Sequence, residues 1–106
     1  MAVEKLNDSE FAGLLGQGGP IAVKFYADWC GSCKLFSPKF RRISEDEAFA
    51  GIRFVDINAE ENPESRRLAG VDNLPFLAVF NEGVLVQGMA TSKEEKLIEM
   101  LNQVAS

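Results

Sequence analysis

Two short apolar runs constrain this chain most. Ile21 to Ala27 (IAVKFYA) is apolar and aromatic except at Lys24, which suits a strand covered on both faces, and Ile52 to Ile57 (IRFVDI) reads as a second strand. Between them, Phe36, Phe40 and Ile43 follow helical spacing over a segment from Cys33 to about Glu47, with Pro38 inside it expected to kink the helix. Strands joined through helices pair in parallel and need cover on both sides of the sheet. The rest of the pattern agrees. Asp8 or Ser9 can cap a first helix with the apolar face Phe11, Leu14 and Leu15, which the breaker cluster GQGGP (Gly16 to Pro20) ends.

Further along, Asn62-Pro63 opens a short helix closed by Gly70. Phe76 to Phe80 and Val84 to Gln87 are strands of a hairpin turned by Asn81-Glu82-Gly83. Ser92 caps a last helix with the buried stripe Leu97, Ile98, Leu101 and Val104, and Val3 to Leu6 allows one more short strand. The expectation is an α/β sandwich with a mixed central sheet. In such folds, the turn from a buried strand into a helix lies at the carboxyl end of the sheet, where ligand sites collect. The chain's two cysteines, Cys30 and Cys33, sit at such a turn.

Bulk properties exclude several function classes. With 106 residues and 46% hydrophobic content, one domain spanning residues 1–106 buries enough surface to fold without a metal or disulfide framework. The 11 basic and 16 acidic residues give a net charge of −5, which repels nucleic-acid backbones. The longest apolar runs, such as Leu74 to Phe80, fall far short of the roughly 20 residues of a membrane span. The charged start MAVEKLNDSE has no signal-peptide core, so a cytoplasmic location is expected, where thiols stay reduced.

In that compartment a C-x-x-C is a redox or metal motif rather than a permanent staple. A structural disulfide here would close a four-residue loop worth about 2 kcal/mol and would be reduced. Zinc needs four ligands, and without histidine the pair supplies two, so only carboxylates or a dimer could complete a site. Gly31 and Ser32 mark an exposed turn rather than a packed core for inert thiols. Cys30, at the first helical turn, meets unpaired N–H groups and the positive end of the helix dipole, which stabilise a thiolate. Cys33, one turn later on the same side, can attack a mixed disulfide formed at Cys30. Trp29 beside them makes a flat apolar rim for a protein substrate.

These residues resemble the thioredoxin family. WCGSCK is similar to the family's WCGPCK and follows a strand ending in F-x-A-[DE]; DINAEENP (Asp56 to Pro63), Leu74-Pro75 before a strand and the Gly83 hairpin extend the likeness along the chain. The resemblance implies the thioredoxin fold, a three-layer sandwich with a central mixed sheet of four to five strands flanked by about four helices. It implies a monomeric protein-disulfide reductase with no bound cofactor beyond a redox-active Cys30–Cys33 disulfide, acting on disulfide-containing proteins and receiving electrons from a thioredoxin reductase. It also implies a cis Pro75 facing the cysteines, a Leu74 backbone free to pair with an extended substrate, and Gly88 at the end of the last strand flooring a groove that Trp29, Gly31 and Ser32 border. A disulfide isomerase or oxidase, or a binding module with incidental thiols, uses the same features.

Two departures stand out. Ser32 replaces the family's usual proline, which leaves the turn more flexible and adds a hydroxyl near the sulfurs. Lys24 stands where the family usually has a buried acid, and Asp56 where it often has lysine. A buried lysine is costly unless paired, so Lys24 either snorkels to solvent or forms a pair with Asp56 behind Cys33 that assists its deprotonation.

Overall fold

A computed structural model describes residues 3–105. The chain runs β1 (Val3–Lys5), α1 (Asp8–Gln17), β2 (Pro20–Tyr26), α2 (Gly31–Ser44), a single 3-10 turn (Glu47–Phe49), β3 (Arg53–Asn58), α3 (Pro63–Ala69), β4 (Phe76–Asn81), β5 (Val84–Ala90) and α4 (Glu94–Asn102). The five strands form one sheet in the order β1-β3-β2-β4-β5. Period-2 alternation divides β2 between two cores. Ile21, Val23 and Phe25 face α1 and α3 with Phe11, Leu14 and Ala69, while Ala22 faces α2 and α4 with Phe36, Phe40, Leu97 and Leu101. Lys24 shares the register parity of Ala22 and so lies under α2.

One strand direction departs from expectation. β1 and β2 both run parallel to β3, as helix-linked strands should, but β4 is antiparallel to β2 although α3 precedes it. The seven residues of α3 rise about 10 Å, half the roughly 20 Å of the six-residue β3, and the segment that follows α3 stays at the end of the sheet where β2 and β3 finish. β4 therefore begins where β2 ends, with Phe76 opposite Phe25. This places Leu74-Pro75 beside the C-x-x-C.

Element ends differ from the sequence expectation where tertiary contacts decide. Asn7, not Asp8 or Ser9, caps α1 through a reciprocal box with Glu10 (2.9 Å each way). Asp8 instead reaches across to α3, accepting from the backbone N–H of Glu64 (3.1 Å) and Ser65 (2.8 Å) and from the Ser65 hydroxyl (2.6 Å). Helix α2 stops at Ser44 because Asp46 caps the next turn at Ala48 (2.9 Å) and runs through Pro38, which removes a donor on its exposed side. The last helix is preceded by an extended Lys93 rather than capped by Ser92, and Met100 joins its buried stripe while Ile98 packs at the margin. β5 extends to Ala90, so Gly88 lies inside the strand opposite Ala78 rather than at its end. A Cβ there would come within 2.9 Å of the Phe76 ring and 3.1 Å of the Ala69 carbonyl, so packing excludes a side chain.

The Asp8 cap carries a pH signature. Burial alone would push its carboxyl up, but the hydrogen bonds from Ser65 and Glu64 outweigh this and hold it below the ordinary range. A depressed carboxyl adds stability above its unfolded value that is lost as pH falls through the folded one. Asp8→Ala is expected to cost about 0.5–2 kcal/mol at neutral pH by loss of the α3 cap, with the difference shrinking in acid. Urea unfolding at both pH values checks it; equal midpoints for the two proteins at neutrality exclude the cap.

Candidate functional site

The turn from β2 to α2 makes the site. Ala27, Asp28 and Trp29 lead out of the sheet, and Cys30 takes the N-cap position with extended backbone (φ −86°, ψ 102°). Its Sγ accepts the backbone N–H of Cys33 at 3.2 Å, one of the donors that a helix start leaves unpaired. The two cysteines form a disulfide with Cα atoms 5.3 Å apart. Gly31 and Ser32 are exposed as expected, but the sulfur residues are not: Cys30 is 4% and Cys33 2% accessible, packed with Ala27, Tyr26 and Leu74. The capping geometry explains this, because a side chain that folds back to Cys33 N–H is covered by its own turn. The Ser32 hydroxyl lies 3.6 Å from Cys30 Sγ.

The sequence-predicted rim is only partly assembled around the sulfurs. The Leu74-Pro75 bond is cis, Pro75 is buried, and Leu74 touches the cysteine cluster. The Leu74 N–H is not free, since it donates to Asn73 Oδ1 at 2.9 Å. Trp29 is 68% exposed, and its Nε1 donates to Glu60 Oε2 at 2.6 Å, while Glu60 N–H is held by Asn58 Oδ1 at 2.9 Å. Sequence reasoning missed Glu60; it lies within the motif-bearing stretch DINAEENP, but nothing in its spacing tells which acid meets the indole. Gly88 has Phe76 and Ala69 as its close neighbours.

Beneath the turn, Lys24 and Asp56 are register partners on adjacent parallel strands, with Nζ 3.3 Å from Asp56 Oδ1. Lys24 is 2% accessible, which removes the snorkelling alternative. Its ammonium also donates to Ser37 Oγ at 2.8 Å and faces the rings of Tyr26 (5.2 Å) and Phe40 (5.9 Å). Ser37 was not foreseen, although it stands one turn after Cys33 on the same helix. Burial pulls Lys24 below the usual lysine range and Asp56 above the usual carboxylate range, each only partly offset by the charge of the other and by the close polar contact between them. The 3.3 Å contact is an ion pair with poor hydrogen-bond geometry, and among the described residues no side chain or backbone donor meets Asp56 Oδ1 in good geometry. Lys24, Asp56, Ser37 and Cys33 line one cavity of about 200 Å³.

Among the described residues no cluster of histidine, cysteine or carboxylate side chains could hold a metal, and no helix is long and apolar enough to cross a membrane. Comparison with known proteins decides the family. The thioredoxin family profile matches residues 2–103. The chain belongs to the thioredoxin family. It is 32% identical to the thioredoxin of Bacillus subtilis over 97% of this chain and 98% of that one, and 37% identical to thioredoxin Asp f 29 of Aspergillus fumigatus over 76% of each. The thioredoxin of Malassezia sympodialis (Mala s 13) superposes with a TM-score of 0.89 across 100% of this chain and 96% of that chain, a likeness of fold at 22% identity. As a member of the thioredoxin family with its C-x-x-C intact, the protein is a dithiol–disulfide oxidoreductase whose redox group is the Cys30–Cys33 pair itself.

Proposed function

We propose that the protein reduces disulfides in other proteins by attack of Cys30 and resolution by Cys33. The observation that carries this order is the Cys33 N–H aimed at Cys30 Sγ, which favours an anion on the first sulfur and offers no comparable donor to the second. In the reduced protein, the Cys30 thiolate attacks a substrate disulfide, one substrate thiolate leaves, and a mixed disulfide remains. Cys33 then loses its proton and attacks Cys30 Sγ. The Cys30–Cys33 bond forms as the second substrate thiolate departs, so the protein is oxidised by two electrons and the substrate reduced by two.

Around this chemistry we assign substrate contact to Trp29, Gly31, Ser32 and the Leu74-Pro75 edge, with Gly88 supporting the groove from behind through Phe76. An extended peptide adding to the Leu74 backbone must first displace the Asn73 carboxamide. Lys24 and Asp56 act as a buried pair that takes the Cys33 proton. The protein works as a single-domain monomer in the cytoplasm, with a thioredoxin reductase as its electron donor. Alkylation of the reduced protein tests the order of attack. Cys30 is expected to react with iodoacetamide first, with a half-titration pH below the roughly 8.5 of an ordinary thiol, and Cys33 to resist. Resistance of Cys30 at neutral pH, or faster labelling of Cys33, rules out the assignment.

A further inference from the structure

Lys24 has three N–H donors, so its two polar partners do not compete for a hydrogen; they set where the nitrogen sits between them. Ser37 Oγ is the nearer at 2.8 Å, and the same hydroxyl donates to the Cys33 carbonyl at 3.1 Å, which turns its lone pairs toward β2. The ammonium is thereby held 3.3 Å from Asp56 Oδ1 in an ion pair of poor hydrogen-bond geometry, and that buried oxygen meets no well-aligned donor among the described residues. Such an atom is costly to the fold and correspondingly ready to accept a proton. It opens on the same cavity as Cys33, whose volume of about 200 Å³ admits a bridging water.

We propose that Ser37 is a positioning residue for the resolving step: its hydroxyl draws the Lys24 ammonium off Asp56, leaving Oδ1 open to take the Cys33 proton. The proposal rests on the reading of Lys24 and Asp56 as the proton-accepting pair and adds what keeps that pair in a working geometry. In the step itself, the S–H proton of Cys33 passes to Asp56 Oδ1, directly or through water. The resulting thiolate attacks Cys30 Sγ, the bond from Cys30 to the substrate sulfur breaks, and the proton returns by the cavity to the departing thiolate or solvent. Without the hydroxyl, the nearest acceptor left to the ammonium is Asp56. A direct hydrogen bond then occupies Oδ1 and makes the carboxylate a weaker base. The other charged groups facing this pair are Lys5 from β1, Asp28 before α2, and Lys34 and Arg41 on α2; all stay in place in the variants below.

Single-turnover reaction of the reduced protein with a chromogenic aromatic disulfide separates two releases: the first reports Cys30 attack and the second resolution. Ser37→Ala is expected to leave the first phase unchanged, to slow the second about fivefold to tenfold at neutral pH, and to move its acid limb to lower pH. Ser37→Thr, which keeps the hydroxyl, is expected to restore both rate and limb. An unchanged second phase in Ser37→Ala, or a slowed one with an unmoved acid limb that threonine does not rescue, overturns the proposal. Asp56→Asn separates the two levels. If it slows the second phase while Ser37→Ala does not, only the role of Ser37 falls; if it leaves that phase unchanged, the reading of the pair falls and the role of Ser37 with it.

Discussion

Cys30→Ser is expected to lose insulin-disulfide reduction by at least about a thousandfold, because a serine hydroxyl supplies no comparable anion at neutral pH. Cys33→Ser should lose steady turnover as completely but by a different route. Its Cys30 still attacks, so one equivalent of substrate is captured and held as a mixed disulfide. The difference follows from position. Only Cys30 occupies the N-cap, where Cys33 N–H meets its sulfur at 3.2 Å, and only a second thiol one turn away supplies the intramolecular nucleophile that outcompetes solution thiols. Non-reducing electrophoresis with insulin checks both arms: a covalent adduct in Cys33→Ser that dithiothreitol releases, and none in Cys30→Ser. Adducts in the opposite variant would reverse the roles; turnover in Cys30→Ser would remove them.

Much of this site is legible in the residues because its logic is local. A cysteine at the strand-to-helix turn, a partner three positions on and a proline before the next strand are all read within short windows. The pairing of Lys24 with Asp56 is legible too, since both fall mid-strand in neighbouring apolar runs of a parallel pair, and the register places them side by side. What escapes is decided across space. Asn7 and Asp8 are both good cap residues, and the choice between them depends on the α3 amides that lie against Asp8. The direction of β4 depends on where the segment after α3 lies against the sheet, which places Phe76 opposite Phe25. Covering of the cysteines by Tyr26 and Leu74, the Trp29–Glu60 bond and the Ser37 link are side-chain meetings between separate elements, for which periodicity holds no signal.

The buried pair should trade stability for chemistry, and its removal should expose the trade. The double variant Lys24→Met, Asp56→Leu is expected to be more stable than the parent by about 1 kcal/mol or somewhat more, near the low end of the 1–4 kcal/mol found when apolar side chains replace buried ion pairs, because Asp56 retains 22% of its exposure. For a domain of this size that is a rise in Tm of about 4 °C or more. Asp56→Ala alone should instead destabilise by about 3 kcal/mol, since it strands an ammonium that keeps only Ser37 and two aromatic faces. The directions of the two shifts fix the pH dependence. With Asp56 raised, the parent loses stability as pH climbs from the ordinary carboxylate value through the folded one; with Lys24 lowered, it regains stability as pH climbs from the folded lysine value toward the ordinary 10.5. The advantage of the double variant is therefore greatest between the two folded values and narrows towards both extremes. The same variant should keep Cys30 attack and lose rapid resolution, the pattern expected where a strained polar site is retained for activity. Thermal unfolding from acid to alkaline pH measures the first part, and a double variant less stable than the parent at neutrality would make the pair a net structural asset, with no trade left to explain.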